Sequence, residues 1–324
     1  MTLPAALTPA GGSLGTRFLL VSYLPTLACA AFLLALVWAG APAPEIDPAR
    51  AWQVAAGLGA GELLLLWLAI TLAAILSHPL QLGLVRVLEG AWPAPLGPAT
   101  ALAVRWQRRR RDRLAHRTLL TSSAPAQAEI NRAGAATTEL RHRYPPPGLP
   151  PLPTALGNAL AAMEYFAGST HQLDAVVTWP RLYPLLRPET KAIVDDHRDA
   201  MDTGCRLSVM ASLTAAATAV LTWRAATVWL LVAAGLLVLS RVAYRGAVQS
   251  ALSYSVAVDA AIDTHRFELY HVLQLPVPHD PEAERNLNAQ LCLHWRQHQP
   301  HPDVAYRQPE LTAMPGDAPP GRAA

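Results

Sequence analysis

Four long apolar runs separate the charged segments of this chain. A helix of about 20 residues spans the roughly 30 Å hydrocarbon core of a bilayer. The runs therefore predict an all-α integral membrane protein with four transmembrane helices in a multi-pass arrangement. We expect these helices at about 18–41, 57–77, 207–223 and 226–243.

The second pair of spans belongs to longer helices. No proline occurs between Pro188 and Pro276, and the helical pattern continues beyond both apolar runs. We expect an antiparallel pair of helices, each of more than about 30 residues, that extend from the membrane into the cytosol. The third run is weakly hydrophobic, so a shallow or re-entrant hairpin is the alternative.

The N-terminal part combines a tail, a hairpin and a surface helix. Residues 1–16 predict a disordered tail. Arg17 and the following apolar run resemble a signal peptide, but the run is too long and we interpret it as a retained helix. Residues 17–92 thus hold the first transmembrane hairpin, followed after His78-Pro79 by an interfacial helix.

Proline and small residues divide the rest of the chain. Residues 93–153 end in YPPPGLPPLP and predict a basic, Pro-rich cytosolic linker. Residues 154–275 contain membrane-adjacent helices and the second hairpin. Residues 276–324 predict a short helix from Pro281 to about His298, and then a disordered tail.

The distribution of charge predicts the orientation. Apolar residues make up 52% and charged residues 15% of the 324 residues, which is little charge for a soluble protein. Basic residues cluster at one end of the four spans, whereas only Arg50 and Arg224 lie at the other. The positive-inside rule then predicts a plasma-membrane protein with both termini in the cytosol.

An arginine run, RWQRRRRDR, follows the first hairpin. A basic cluster beside a span is attracted to anionic headgroups by about 1 kcal/mol per residue. A nucleic-acid patch is the alternative. The neighbouring span favours the bilayer as the partner, and we expect no nucleic acid. The predicted lipid-facing residues are Arg105, Arg108, Arg109, Arg110, Arg111 and Arg113.

Glu62 is the acidic residue within the second apolar run. An acid inside a span is costly and often faces a cavity or a partner, so Glu62 is a candidate functional intramembrane residue. If the span begins near Leu63 instead, Glu62 lies at the outer interface and needs no further role. Both interpretations remain open at this point.

The sequence contains no evident constellation for catalysis or metal binding. Cys29, Cys205 and Cys292 give neither a CxxC pair nor a disulfide framework. His294 and His298 have a spacing used by zinc sites, but they lie beside the predicted disordered tail. A phosphate-binding loop, a nucleophile elbow and an HExxH motif are all missing. We expect a non-enzymatic protein without cofactor or metal.

Several segments carry a family resemblance. LGNALAAMEYFAG, LDAVVTWPRLYPLL and DTHRFELYHVLQLPVP, with HPLQLGLVRVLEGAW after the second span, resemble segments of uncharacterised actinobacterial multi-pass membrane proteins. Similar segments flank the second pair of spans in that family. The resemblance covers about two-thirds of the chain. It implies a multi-pass membrane fold and no particular activity.

Together these patterns predict a membrane scaffold or interaction protein with a cytosolic helical module. The expected partners are anionic headgroups and an unknown cytosolic protein. The alternative is a small oligomeric channel or transporter, lined by Glu62 or the Thr/Ser-rich third span. Small-residue faces such as Gly57/Gly61 are also compatible with a homo-oligomer. The predicted interaction residues are Trp179, Arg181, Tyr183, His265, Arg266 and Tyr270.

Overall fold

The computed structural model of the protein describes residues 24–120, 125–225 and 227–297. Regular secondary structure in these ranges is entirely helical. The ten α-helices described are α1 (Leu24–Trp38), α2 (Pro48–Gly57), α3 (Ala60–Glu89), α4 (Gly97–His116), α5 (Gln127–Arg143), α6 (Ala155–Phe166), α7 (Ala175–Leu182), α8 (Pro188–Leu221), α9 (Thr227–Val272) and α10 (Pro281–Gln297).

The chain forms two compact units. Unit 1 comprises Met1–Tyr165 and Ala192–Ala257, and unit 2 comprises Phe166–Lys191 and Val258–Ala324. Unit 1 contains the apolar helices and the arginine-rich segment. Unit 2 contains α7, α10 and the last turns of α9.

Two of the described helices are long and apolar enough to cross a membrane. They are α8, of 34 residues, and α9, of 46 residues. A third candidate combines α2 with Ala60–Ala73 of α3, and these two pieces are bent by 110°. α1 is apolar but short, and residues 18–23 of the predicted first span lie outside the described ranges. The described helices therefore support two or three spans.

Helices α8 and α9 form the long antiparallel pair that the sequence predicts. The hydroxyl oxygen of Ser240 on α9 lies 3.2 Å from that of Ser208 and 2.6 Å from that of Ser212 on α8. Toward the charged end, a Cβ added to Gly204 would lie 3.0 Å from the Cβ of Ala247. Small residues thus bring the two helix backbones close together.

The second predicted span has different boundaries in the structure. α2 ends at Gly57, and α3 continues without a break from Ala60 to Glu89. The expected end at His78-Pro79, with a separate interfacial helix, is therefore corrected. Proline is tolerated within long apolar helices when neighbouring groups satisfy the freed carbonyl. Gly57 and Gly61 lie on different helices, so they do not form a GxxxG face.

The segment 93–153 is not an extended linker, because it contains α4 and α5. Arginine, alanine and glutamate favour helix, and α5 has an acidic first turn and a basic last turn. The two helices pack through a small apolar cluster. It consists of Leu114, Ala136, Leu140 and Tyr144.

The charged end of the long pair is packed against α6 and the end of α3. The Tyr244 hydroxyl accepts hydrogen bonds from the backbone N–H groups of Ala155 and Leu156, at 3.1 and 3.2 Å. These donors open α6 and would otherwise lack partners within the helix. A buried apolar cluster packs next to Tyr244 and Ala155. It includes Leu156, Ala159, Met201, Cys205, Ala247 and Ala251.

Gly157 permits a close contact between α6 and the end of α3. A Cβ at this position would lie 1.9 Å from the carbonyl oxygen of Glu89, the last residue of α3. No real Cβ tolerates that distance, so the end of α3 can reach α6 only because residue 157 is glycine.

We predict opposite effects for two glycine-to-alanine substitutions. Gly157→Ala should destabilise the protein by about 1–3 kcal/mol or more, because backbone atoms must move apart. Gly134→Ala on α5, where a Cβ would have nothing within 4 Å, should stabilise it by up to about 1 kcal/mol. Unfolding in detergent measures both changes. A stabilising Gly157→Ala would contradict the contact with α3.

Candidate functional site

The arginine run lies on a helix that is held in place by its neighbour. In α4 the buried side chain of Gln107 accepts a hydrogen bond of 3.0 Å from the hydroxyl of Tyr144. Burial of the Tyr144 ring raises the pKa of its phenol. Leu114 packs in the same small cluster. The arginines are therefore presented by an ordered helical hairpin rather than by a flexible loop.

The six arginines divide into two groups. Arg105, Arg108, Arg109 and Arg113 are exposed. Two others are half-buried and contact the chain itself: Arg110 stacks on Trp106 at 5.6 Å, and Arg111 donates to the carbonyl of Leu149 at 3.4 Å. Four of the six predicted lipid-facing residues are thus exposed on the surface of the protein.

Apolar side chains flank the exposed arginines. Leu102 is 69% exposed and Trp106 is 49% exposed, and their spacing of four places them on one face of α4 with Arg105 and Arg109. A helix face that combines tryptophan, leucine and arginine is typical of helices that lie in a membrane interface.

Glu62 lies in the first turn of α3 and has a partner there. Its carboxylate accepts a hydrogen bond of 2.9 Å from the backbone N–H of Gly59. A negative charge at a helix N-terminus also interacts favourably with the helix dipole. This contact gives Glu62 a structural role as part of the cap of α3. The described atoms do not require a role for Glu62 in transport.

A cluster of carboxylates surrounds the other end of α3. Burial raises the pKa of Glu89, the nearby charges of Glu164 and Asp202 raise it further, and Arg86 lowers it. Glu89 also lies at a helix C-terminus, where a negative charge is unfavourable. Folding therefore makes this carboxyl group harder to ionise than an ordinary glutamate.

In unit 2, three of the predicted interaction residues are internal. Trp179, His265 and Tyr270 are 7%, 2% and 0% exposed. The Nε2 atom of His265 accepts the backbone N–H of Arg187 at 3.4 Å, and its Nδ1 lies 3.2 Å from the carbonyl oxygen of Ala261. These side chains hold the unit together and do not form an open surface.

The other three predicted interaction residues lie nearer the surface. Arg181 is exposed and stacks on the Trp295 ring at 4.5 Å. Tyr183 is half-buried and has Lys191 over its ring, also at 4.5 Å. Arg266 is half-buried and donates to Glu284 at 2.6 Å. The WPRLY segment and the end of α9 thus both contact partners within unit 2.

Helix α10 provides the centre of the polar network in unit 2. The amide of Asn288, which is fully buried, accepts the Tyr270 hydroxyl at 2.7 Å and donates to the carbonyl of His171 at 2.9 Å. The ring of His171 lies between Asp263 and Glu284, at 3.0 and 3.5 Å. Helix α10 is therefore connected to the end of α9 and to the segment around His171 by buried or half-buried polar contacts.

Cys292 is part of the same packing. Its sulfur accepts the backbone N–H of Asp174 at 3.3 Å and lies 3.8 Å from the Thr178 hydroxyl. Burial raises the pKa of this thiol, which makes it a poor nucleophile at neutral pH. Among the described residues, no three His, Cys, Asp or Glu side chains are arranged to hold a metal ion. His298 and His301 lie outside those residues.

The sequence pattern predicts α10 but does not indicate its role in unit 2. The buried residues of α10 recur at helical spacing, and that pattern was the available signal. They are Glu284, Asn288, Leu291, Cys292 and Trp295. Asn288 and His171 were missed because nothing in the local sequence indicates that residues 117 positions apart meet.

Comparisons with models of known protein families, with curated proteins and with solved structures give no match for this chain. Any functional assignment therefore depends on the geometry described above.

We predict that Asn288 is required for the stability of unit 2. Asn288→Leu should cost about 2–4 kcal/mol, because it removes the hydrogen bonds to the buried Tyr270 hydroxyl and to the His171 carbonyl. Asn286→Leu, at an exposed position of the same helix, is the matched control and should change stability little. Protease resistance of unit 2 under increasing urea measures the difference. Equal behaviour of the two variants would contradict the network.

The carboxyl group of Glu89 should make stability depend on pH. Because its pKa is raised on folding, its favourable contribution is complete below the ordinary value of 4.5 and is lost as the pH rises through the folded value. Glu89→Gln should therefore be more stable than the parent at pH 7, with a difference that shrinks on acidification. Thermal unfolding from pH 4 to pH 8 tests this. The exposed position Glu268→Gln provides the control for the substitution itself.

Proposed function

We propose that the protein is a multi-pass plasma-membrane scaffold that binds a cytosolic protein partner through unit 2. In this proposal the chain crosses the membrane four times, at α1, α3, α8 and α9, and has both termini in the cytosol. Unit 2 lies on the cytosolic side as a helical module, and α4 attaches unit 1 to the anionic inner leaflet.

The polar network around Asn288 is the observation that supports this proposal most directly. Its buried hydrogen bonds and the Arg266–Glu284 ion pair make the described part of unit 2 an ordered helical body. An ordered body attached to a membrane helix presents a fixed surface. Fixed surfaces bind partners with a smaller loss of conformational entropy than flexible ones.

The arrangement of helix ends in unit 1 supports the proposed topology. Trp38 at the end of α1 and Trp229 at the start of α9 border the same apolar groove. At the opposite end, Glu89 of α3 lies beside α6, which is bound to Tyr244 of α9. These contacts fit helices that alternate in direction across one bilayer, with the exposed arginines of α4 on the side of Glu89.

The surface of unit 2 offers apolar side chains to a partner. Among the described residues of unit 2, the large exposed ones are Phe267, Val272, Val277 and Leu293, at 42–58% exposure. Exposed aromatic and aliphatic residues are common anchors in protein interfaces. Together with the exposed Arg181, they replace the buried Trp179, His265 and Tyr270 as the residues that we expect to contact a partner.

The channel alternative relies on Glu62 and on the Thr/Ser-rich third span. Glu62 caps α3 through Gly59, and the buried Thr214 and Thr218 donate to backbone carbonyls one turn earlier, at 2.7 Å each. These groups thus have partners within the chain. We therefore favour the scaffold.

Site-specific cross-linking in native membranes tests the scaffold. A photoreactive residue at Phe267 should give one defined adduct with a cytosolic protein. The same residue at Leu213, an exposed position in the apolar part of α8, should not. Ion flux through liposomes containing the purified protein, abolished by Glu62→Gln, would instead support the channel and contradict the proposal.

The attachment of α4 to the inner leaflet is tested separately. In a variant without the native cysteines, Leu102→Cys should be protected from a water-soluble maleimide in liposomes rich in phosphatidylglycerol. Protection should disappear in neutral liposomes, or when the four exposed arginines are changed to glutamine, because the attraction is electrostatic. Ile130→Cys on α5 provides a control for general access. Protection that is independent of lipid charge would contradict this role of α4.

A further inference from the structure

An apolar groove lies in unit 1 at the end where α1 stops and α9 starts. It has a volume of about 320 Å³, which falls within the roughly 300–1,000 Å³ of typical small-ligand sites. All ten side chains around it are apolar. They are Phe32, Ala35, Leu36, Trp38, Ala39, Pro48, Ala51, Trp52, Ala55 and Trp229.

The groove exists because α2 folds back over the end of α1. Asp47 caps α2 by accepting the backbone N–H of Ala49 at 2.9 Å, and its own N–H donates to the carbonyl of Ala39 at 2.9 Å. The 110° bend between α2 and α3 then directs α2 across the other helices. Ala51 and Trp52 of α2 consequently border the same groove as Phe32 and Trp38 of α1.

The walls of the groove favour hydrocarbon rather than water. Trp52 is 76% exposed although its ring is among the largest apolar side chains of the protein. Three tryptophans border the groove, as in the aromatic belts that mark the edge of a bilayer. An acyl chain entering from the surrounding leaflet would cover this surface.

Charged groups next to the groove would contact the headgroup of a lipid bound there. Arg50 precedes Ala51, and its Nη1 atom lies 3.7 Å from the position of a Cβ on Gly40, adjacent to the groove residue Ala39. A guanidinium group binds phosphate through paired hydrogen bonds. Glu45 and Asp47 are exposed and lie five and three residues before Arg50, so a headgroup with an ammonium group beside its phosphate would complement the charge of this loop.

We propose that this groove binds one zwitterionic phospholipid, with an acyl chain between α1, α2 and α9 and its phosphate on Arg50. The assignment is independent of the scaffold function and of the direction in which the chain crosses the membrane. It differs from the attraction of α4 to anionic headgroups in location and in the charge of the lipid.

Native mass spectrometry of the full chain measures the bound lipid directly. The protein is released from bilayers that contain phosphatidylethanolamine, phosphatidylglycerol and diacylglycerol with identical chains. We expect one phosphatidylethanolamine per chain. Ala51→Trp fills the groove and should lower its retention about tenfold or more, equivalent to about 1.4 kcal/mol. Arg50→Gln should reduce phosphatidylethanolamine to the retention of diacylglycerol.

Two further variants keep the experiment decisive. Trp52→Ala removes one wall and should also lower retention, even if Ala51→Trp fails to fold. Trp67→Ala removes a tryptophan that is 55% exposed on α3, outside the groove, and should leave retention unchanged. Unfolding temperatures identify any variant that is misfolded.

Three results would overturn the proposal. One is equal retention of phosphatidylethanolamine by the parent and by a folded Ala51→Trp or Trp52→Ala variant. Another is phosphatidylglycerol retained as well as phosphatidylethanolamine. The third is a dimer of the parent that Ala51→Trp dissociates, which would make a second copy of the chain the occupant of the groove.

Discussion

The close approach of α8 and α9 is the constraint on which unit 1 depends. Glycine, alanine and serine at the contact allow the two backbones to come together, and a larger side chain at Gly204 would meet Ala247 at 3.0 Å. In a bilayer such packing supplies much of the attraction between helices, since lipid tails are as apolar as leucine. The serine hydroxyls at 208, 212 and 240 add polar contacts within the same seam.

The second unit is stabilised in a different way. Its helices are connected by buried hydrogen bonds and ion pairs, many of which converge on α10. Buried polar networks specify one arrangement of helices because each unpaired group would be costly. Unit 1 thus relies on close packing of small residues, and unit 2 relies on a polar network. Apolar burial drives the association of helices in water, while polar groups determine which surfaces meet.

The sequence predicted the long helices well and the packing between segments poorly. The absence of proline between Pro188 and Pro276 predicted both α8 and α9, because proline is the residue that most strongly interrupts a helix. Proline misled the prediction at Pro79, through which α3 continues. The arginine run and the segment after it were interpreted from composition as a linker, although Leu114, Leu140 and Tyr144 give them a small core.

The candidate sites show the same limit. The aromatic and basic residues of the WPRLY segment and of the end of α9 stand out locally, but their neighbours are far away in sequence. Trp179 and Tyr270 are buried because α10 covers them, and a pattern within one segment does not reveal which other segment covers it. For Glu62, the sequence left open a functional intramembrane role and a position at the outer interface, and only the structure reveals its hydrogen bond with the backbone N–H of Gly59.

The hydroxyl of Tyr244 has a consequence for motion in unit 1. Because it accepts two backbone N–H groups from the start of α6, it fixes the axial register of α9 at that level. A slide of α9 by one turn, about 5.4 Å, would leave both donors without this acceptor, at about 1–3 kcal/mol each if they remained buried. Piston-like displacement along α9 is therefore suppressed. Any mechanical signal carried by this helix would have to travel as bending or twisting beyond Tyr244.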